Sequence, residues 1–139
     1  MADTFNLSVL TPKAEIFSGA VTTVAVSGEQ GEFGVLPGHY AYITSVKPGV
    51  LTIEDGKATH IFAVGDGFAQ VAADKVSIVV SSCMPADAVD VGAEQTRLDA
   101  AMRTLVDQET GAPGTAEALV DQATALSRLA AAERAGASH

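Results

Sequence analysis

The sequence predicts a mainly β protein with an α appendage. An N-terminal antiparallel β-sandwich of about eight to ten strands fills residues 1–85, and an antiparallel helical hairpin fills residues 86–139. Three observations predict this. Short β-branched runs, punctuated by turn residues about every 8 to 12 positions, occupy the chain as far as Met84. Pro85 then closes the β region, because proline lacks the amide that a central strand must donate. From Asp87 onward, apolar residues recur at helical spacing.

The elements follow in order. "TFNLSVL" alternates Phe5, Leu7 and Val9 on one side, and "VTTVAVSG" carries Val21, Val24 and Val26 up to Gly28. In "LPGH", Pro37 pre-sets φ and Gly38 supplies a positive φ, the chemistry of a type II turn; Lys47-Pro48-Gly49-Val50 repeats it. "GVLTIEDGKATHIFAV" is two strands around Asp55-Gly56, and "GFAQVAADKVSIVV" is two more around Ala73-Asp74. Gly65 and Gly67, between strand patterns, predict a sheet bulge rather than a phosphate loop, which would open a helix. Leu98, Ala101, Met102 and Leu105 define one helical stripe, with Asp99 and Arg103 as an i, i+4 pair. After "TGAPGT", Thr115 is the expected cap of a second helix whose stripe is Leu119, Ala123, Leu126 and Ala130, with Gly136 as its end. That alanine-rich seam buries little apolar area, so the hairpin needs the sandwich or another protein to stay docked.

Composition narrows the function. Among 139 residues, 17 carboxylates face 8 lysines and arginines, a net charge of −9 that repels phosphate backbones and anionic lipid; no nucleic-acid partner is expected. No apolar run approaches the roughly 20 residues that span a bilayer, and "MADTFNLSVL" lacks the features of a secretory signal, so a soluble intracellular protein without membrane insertion is expected. A single cysteine, Cys83, fits a reducing compartment. It follows the apolar "IVVSS" with no base nearby, which suits a structural thiol better than a nucleophile.

The search for catalytic chemistry finds none. His39, His60 and His139 lie far apart and share no short motif with Cys or another His, so no metal site is expected. No nucleophile elbow occurs, and no cofactor loop precedes a helix. "SGEQGEFG" packs Gly28, Gly31 and Gly34 around Glu29 and Glu32, a tight acidic loop. The residues alone leave His39 two readings: a turn histidine bonded to nearby backbone, or a contact residue.

"SGEQGEFGVLPGHYAYITSVKPGVLTI" resembles the most recognisable segment of the epsilon subunits of bacterial F-type ATP synthases, whose mitochondrial homologue is called delta. "TPKAEIFSGAVTTVAVSG", with an "F-S-G" turn between strands, resembles the family's opening, and the likeness covers residues 3–85. The resemblance implies a non-catalytic rotor subunit of the central stalk, coupling rotation of a proton-driven c-ring to the catalytic head. It implies a peripheral location on the cytoplasmic face of the inner membrane. The implied partners are the gamma subunit and the c-ring, and alpha and beta through the C-terminal helices. By the same analogy Glu29, Gly31 and Glu32 lie on the c-ring side, and His39 lies near the gamma contact.

Some members of the family bind ATP through an I/L-D-x-x-R-A motif in the hairpin. Here the stretch is "VDVGAE": Val89 and Asp90 fit, but Ala93 replaces the arginine and Glu94 the alanine. Weak ATP binding or none is the expectation. The second helix keeps Arg128 and Arg134 against Glu117, Asp121 and Glu133, which implies weak inhibition of hydrolysis or none. A free-standing β-sandwich binding module and a small enzyme on a similar shell are the alternatives that the residues alone leave open.

Overall fold

The computed structural model describes residues 4–28, 31–35, 41–72, 75–107 and 114–137. Phe5, Leu7 and Val9 are buried while Asn6 is exposed, so the alternation at the N-terminus is that of a half-buried strand, β1 (Phe5–Leu10). The strands that follow are β2 (Glu15–Val21), β3 (Thr23–Gly28), β4 (Gly31–Val35), β5 (Tyr42–Val46), β6 (Gly49–Glu54), β7 (Thr59–Val64), β8 (Gly67–Val71), β9 (Lys75–Val80) and β10 (Cys83–Pro85), with the same clear alternation in β8 and β9. A 3₁₀ turn, Ala86–Ala88, leads into α1 (Val91–Asp107) and α2 (Thr115–Ala137).

The strands form two layers. One runs β10-β7-β6-β3 with β4 on the far edge of β3; the other runs β5-β8-β9-β1-β2. Among the described residues a single pair, Gly28 with Val46, joins them. Between them lies one core, to which the first layer gives Val24, Val26, Leu51, Ile53, Phe62 and Val64, and the second gives Leu7, Val9, Val71, Val76, Ile78 and Val80 among others. Most pairs are antiparallel as expected; β1 and β9 are parallel, which is open to strands that are distant in sequence and need no tight hairpin.

Three turn expectations change. Gly49 does not adopt positive φ, whereas Gly56 (φ 90°) and Gly114 (φ 92°) do, so residues 47–50 do not form a type II turn. The reason is topological: β5 and β6 share one edge of β3 without pairing each other, so Lys47-Pro48 is a corner between layers and not a reversal. Phe17, Ser18 and Gly19 lie inside β2, paired with β1, and not in a turn. The chain reverses before them, where Thr11 N–H donates to Ala14 O (2.9 Å). Gly65 and Gly67 make no bulge, since β8 and β9 pair in unbroken register. They allow a close backbone approach instead: a Cβ on Gly67 would stand 1.9 Å from Val79 O and 2.7 Å from Val80 Cα. Gly65-Asp66 and Ser81-Ser82 are neighbouring crossings between layers, tied by Gly65 N–H to Ser82 O (2.9 Å) and Ser81 N–H to Asp66 O (2.8 Å).

The β6–β7 hairpin turns where expected. Asp55 N–H donates to Ala58 O, and Asp55 Oδ1 accepts from the amides of Lys57 (2.9 Å) and Ala58 (2.8 Å). The Ala73-Asp74 bend lies outside the described residues, between β8 and β9.

The hairpin helices form, but their stripes shift. Leu98 and Ala101 are buried as expected, whereas Met102 is exposed. On α2, Leu119 and Leu126 are exposed and the buried positions are Ala118, Ala125, Ser127 and Ala131. The physical reason is separation: α2 must lie close to α1 on one side and to β6 and β7 on the other, and only small side chains permit both. Ala131 packs with Val50, Ala63 and Ala86, next to Ile61 and Ala135. Gly114, not Thr115, caps α2, its carbonyl accepting from Ala118 N–H (3.0 Å); the helix continues one residue past Gly136. Asp99 accepts from Gln95 Nε2 (3.1 Å) rather than pairing with Arg103, a substitution of one weak solvated contact for another.

Candidate functional site

The two outer faces of the sandwich differ. Inward residues of each strand alternate with outward ones, so the outward residues of β6 and β7 are Val50, Thr52, Ile61 and Ala63, and α2 lies over them. Arg134 Nη1 donates to Thr52 Oγ1 (3.2 Å) at the margin of that contact. On the other layer the outward phase includes Ile43 on β5, Phe68 on β8, Val79 on β9 and Leu10 on β1. Register places Phe68 opposite Val79 and Val79 opposite Leu10, with Ile43 on the neighbouring diagonal. Among the described residues no helix packs on this layer: Ile43 is 70% exposed and Phe68 49%, with Val79 and Leu10 half-buried. An apolar row across an open sheet is the feature of a docking surface rather than of a reaction site.

Sequence reasoning did not single out these residues. Its available signal was phase, because Ala69 and Val71 face the core and Phe68 between them must face out.

Of the residues proposed from sequence, Glu29 and His39 lie outside the described residues. Gly31 pairs with Gly28 and Glu32 with Ser27, next to the Gly28–Val46 junction of the layers. Val89 and Asp90 lie between the 3₁₀ turn and α1. Asp90 Oδ1 accepts from Ala93 N–H (3.0 Å) and Asp90 O from Glu94 N–H (3.0 Å), so this aspartate caps the helix.

Elsewhere the polar groups read as structural. His60 Nε2 lies 3.0 Å from Asp55 Oδ2, and its ring meets Phe17 of the opposite layer with centroids 5.6 Å apart. The His60 hydrogen bond, followed by the Ala58 and Lys57 amides, holds the Asp55 carboxyl well below the usual carboxylate range. Burial pushes the Cys83 thiol up to about 12, the opposite of what a nucleophile needs. Among the described residues no group of three or more His, Cys, Asp or Glu is placed to hold a metal, and no helix is long and apolar enough to cross a membrane.

One charged cluster stands out. Glu94, 5% exposed, carries Oε2 3.2 Å from Arg128 Nη1 of α2 and Oε1 3.2 Å from Arg97 Nε of its own helix. Arg97 Nη1 reaches Asp121 Oδ1 at 3.8 Å. The cluster therefore ties α1 to α2.

Comparison with known proteins agrees with this architecture. Residues 4–86 match the family described as the ATP synthase delta/epsilon chain, beta-sandwich domain. The chain belongs to the ATP synthase delta/epsilon family. Its epsilon-type character is supported by the ATP synthase epsilon chain of Maricaulis maris, 38% identical over 91 residues, which span 65% of this chain and 68% of the relative. The fold is also that of a chain in the mitochondrial ATP synthase of Euglena gracilis, solved with its F1 and c-ring (TM-score 0.72, 21% identity, covering 97% of this chain and 81% of that one). A chain in the central stalk and c-ring structure of the Tetrahymena thermophila mitochondrial ATP synthase is similar more loosely (TM-score 0.57, 17% identity, 92% and 96% covered). This epsilon-type chain is accordingly an ATP synthase subunit, with the sandwich and hairpin that its sequence predicted.

Proposed function

We propose that the chain is a non-catalytic rotor subunit in the central stalk of a proton-translocating F-type ATP synthase, coupling c-ring rotation to the catalytic head without an active site, metal or cofactor of its own. The observation that carries this reading is the two-faced sandwich: one outer face is closed by α2, while the other presents Ile43, Phe68, Val79 and Leu10. Membership in the delta/epsilon family supports it. The Tetrahymena chain of similar fold comes from a structure of the central stalk and c-ring.

In this reading the bare face seats against gamma, with His39 near that contact. The β3–β4 end, with Glu29, Gly31 and Glu32, faces the c-ring. Residues 1–85 act as the docking unit, and residues 86–139 act as a separate hairpin that meets alpha and beta weakly. The subunit is peripheral, on the cytoplasmic face of the bacterial inner membrane. A torque link must resist shear, and two layers sharing one close-packed core deform little. Asp90 is engaged as a helix cap, which supports reading Val89 and Asp90 as a remnant that no longer holds ATP.

Phe68→Glu tests the central contact. The variant should fold with parental melting, yet be lost when the ATPase is purified with gamma from membranes; retention at parental stoichiometry overturns the reading. Glu32→Lys should leave assembly intact while lowering proton-driven ATP synthesis in vesicles, and unchanged synthesis would remove that residue from the c-ring contact.

A further inference from the structure

The hairpin is attached in series. α2 packs on β6 and β7, and α1 packs on α2, so the position of α1 depends on whatever holds the helices together. Apart from Leu98, the buried apolar residues available for that are small: Ala101 on α1, with Ala118 and Ala125 on α2. Methyl groups remove little surface from water. In that seam lies the carboxylate of Glu94, with Arg128 itself only 17% exposed. Glu94 Oε1, although 3.2 Å from Arg97 Nε, lies off the line of a hydrogen bond and is the one buried side-chain polar atom without such a bond among the described residues. A buried carboxylate with its cation removed is strongly unfavourable, so this pair specifies the closed arrangement more than the alanines do.

We propose that Glu94 is a built-in latch: held between Arg97 of its own helix and Arg128 of α2, it keeps α1 folded against α2, and so the hairpin closed, with no bound ligand. A partner that separates the helices while keeping either group out of water must supply its counter-charge: an acidic group for Arg128 or a basic group for Glu94. The inference deepens the reading of the hairpin given above. Its test uses the isolated chain, so its failure is distinguishable from failure of the docking reading.

The test is amide hydrogen exchange of the full chain, followed by mass spectrometry of peptides from α1, α2 and β8–β9. Glu94→Gln keeps the shape and removes the charge; α1 and α2 should exchange on the order of ten- to a hundred-fold faster while β8–β9 is unchanged. Arg128→Met, which leaves the carboxylate buried, should accelerate both helices more, and adding Glu94→Gln to it should slow them again. Millimolar ATP or inorganic phosphate should not slow exchange in the parent chain. Helix exchange within threefold of the parent in Glu94→Gln, additive effects in the double variant, equal acceleration of β8–β9, or slowing by either anion would each overturn the latch.

Discussion

The two outer faces of the sandwich are built from the same strand alternation but take opposite partners. Over β6 and β7 the contact is made by Val50, Ala63 and Ile61 with Ala86, and the helix lies close because it brings only alanines, Ala131 and Ala135, to that cluster. Over β8 and β9 the projecting groups are Phe68, which is 49% exposed, and Val79, which is half-buried. Burying an alanine methyl contributes about 0.8 kcal/mol, against about 1.5–3 kcal/mol for a full aliphatic or aromatic side chain. The difference teaches that the closed face is suited to an attachment that the chain itself supplies in cis, where effective concentration compensates weak contact. The open face is suited to a partner in trans, which must gain its affinity from larger side chains.

The comparison can be broken most forcefully where both layers depend on one crossing. Gly67→Ala places a methyl against Val79 O and should destabilise the whole sandwich by about 3 kcal/mol, the upper end for overpacking, measured by urea denaturation. A parental midpoint would mean that the two layers are less tightly coupled than their shared crossing indicates. Next comes the closed face. Ala131→Leu should cost about 1–3 kcal/mol of hairpin docking, seen as faster tryptic cleavage after Arg128 and Arg134 with the sandwich still intact. The matching change on the open face, Phe68→Glu, should move stability by less than about 0.5 kcal/mol because that side chain is already half in water. Equal losses at the two faces would erase the distinction between them.

Smaller effects sharpen the picture at the edges. Asp55 has a lowered folded pKa, so its contribution is present above the unfolded carboxyl value of about 3.9 and is lost as pH falls toward the folded one. Asp55→Asn should therefore be no more acid-sensitive than the parent, with a shallower loss of melting temperature below about pH 4; identical acid limbs would assign that loss to other carboxylates. Smallest of all should be removal of the hairpin from the assembled ATPase. A chain ending at Pro85 should change ATP hydrolysis by less than about twofold, since Arg128 is engaged by Glu94 and the exposed Arg134 supplies little differential contact. A large rise in rate would make the hairpin an inhibitor.

Much was legible in the strands because period-2 burial is a local property. Phe5, Leu7 and Val9 had to share a face whatever their neighbours were, and Asp55-Gly56 had to turn because its φ and side-chain chemistry favour nothing else. The helices were legible as helices, but not in their orientation. Leu119 and Leu126 offered the more hydrophobic stripe, and the fold buries Ala118, Ala125 and Ala131 instead, since clearance from two neighbours outranks hydrophobicity along one helix. In the sequence Glu94 is only the residue that replaces the motif's alanine, for its cation, Arg128, lies 34 residues away and meets it only when the hairpin closes.

By itself the sequence determined which segments are strands and helices, where the β region stops, and the family to which its glycine, proline and acidic loop motifs belong; these follow from backbone propensity and short-range pattern. Only the tertiary structure decided that Lys47-Pro48 and Gly65-Asp66 carry the chain between layers, that one outer face is covered and the other open, and that Glu94 joins two helices. Each of these depends on residues distant in the chain arriving at the same place, and side-chain chemistry read in order carries no measure of that distance.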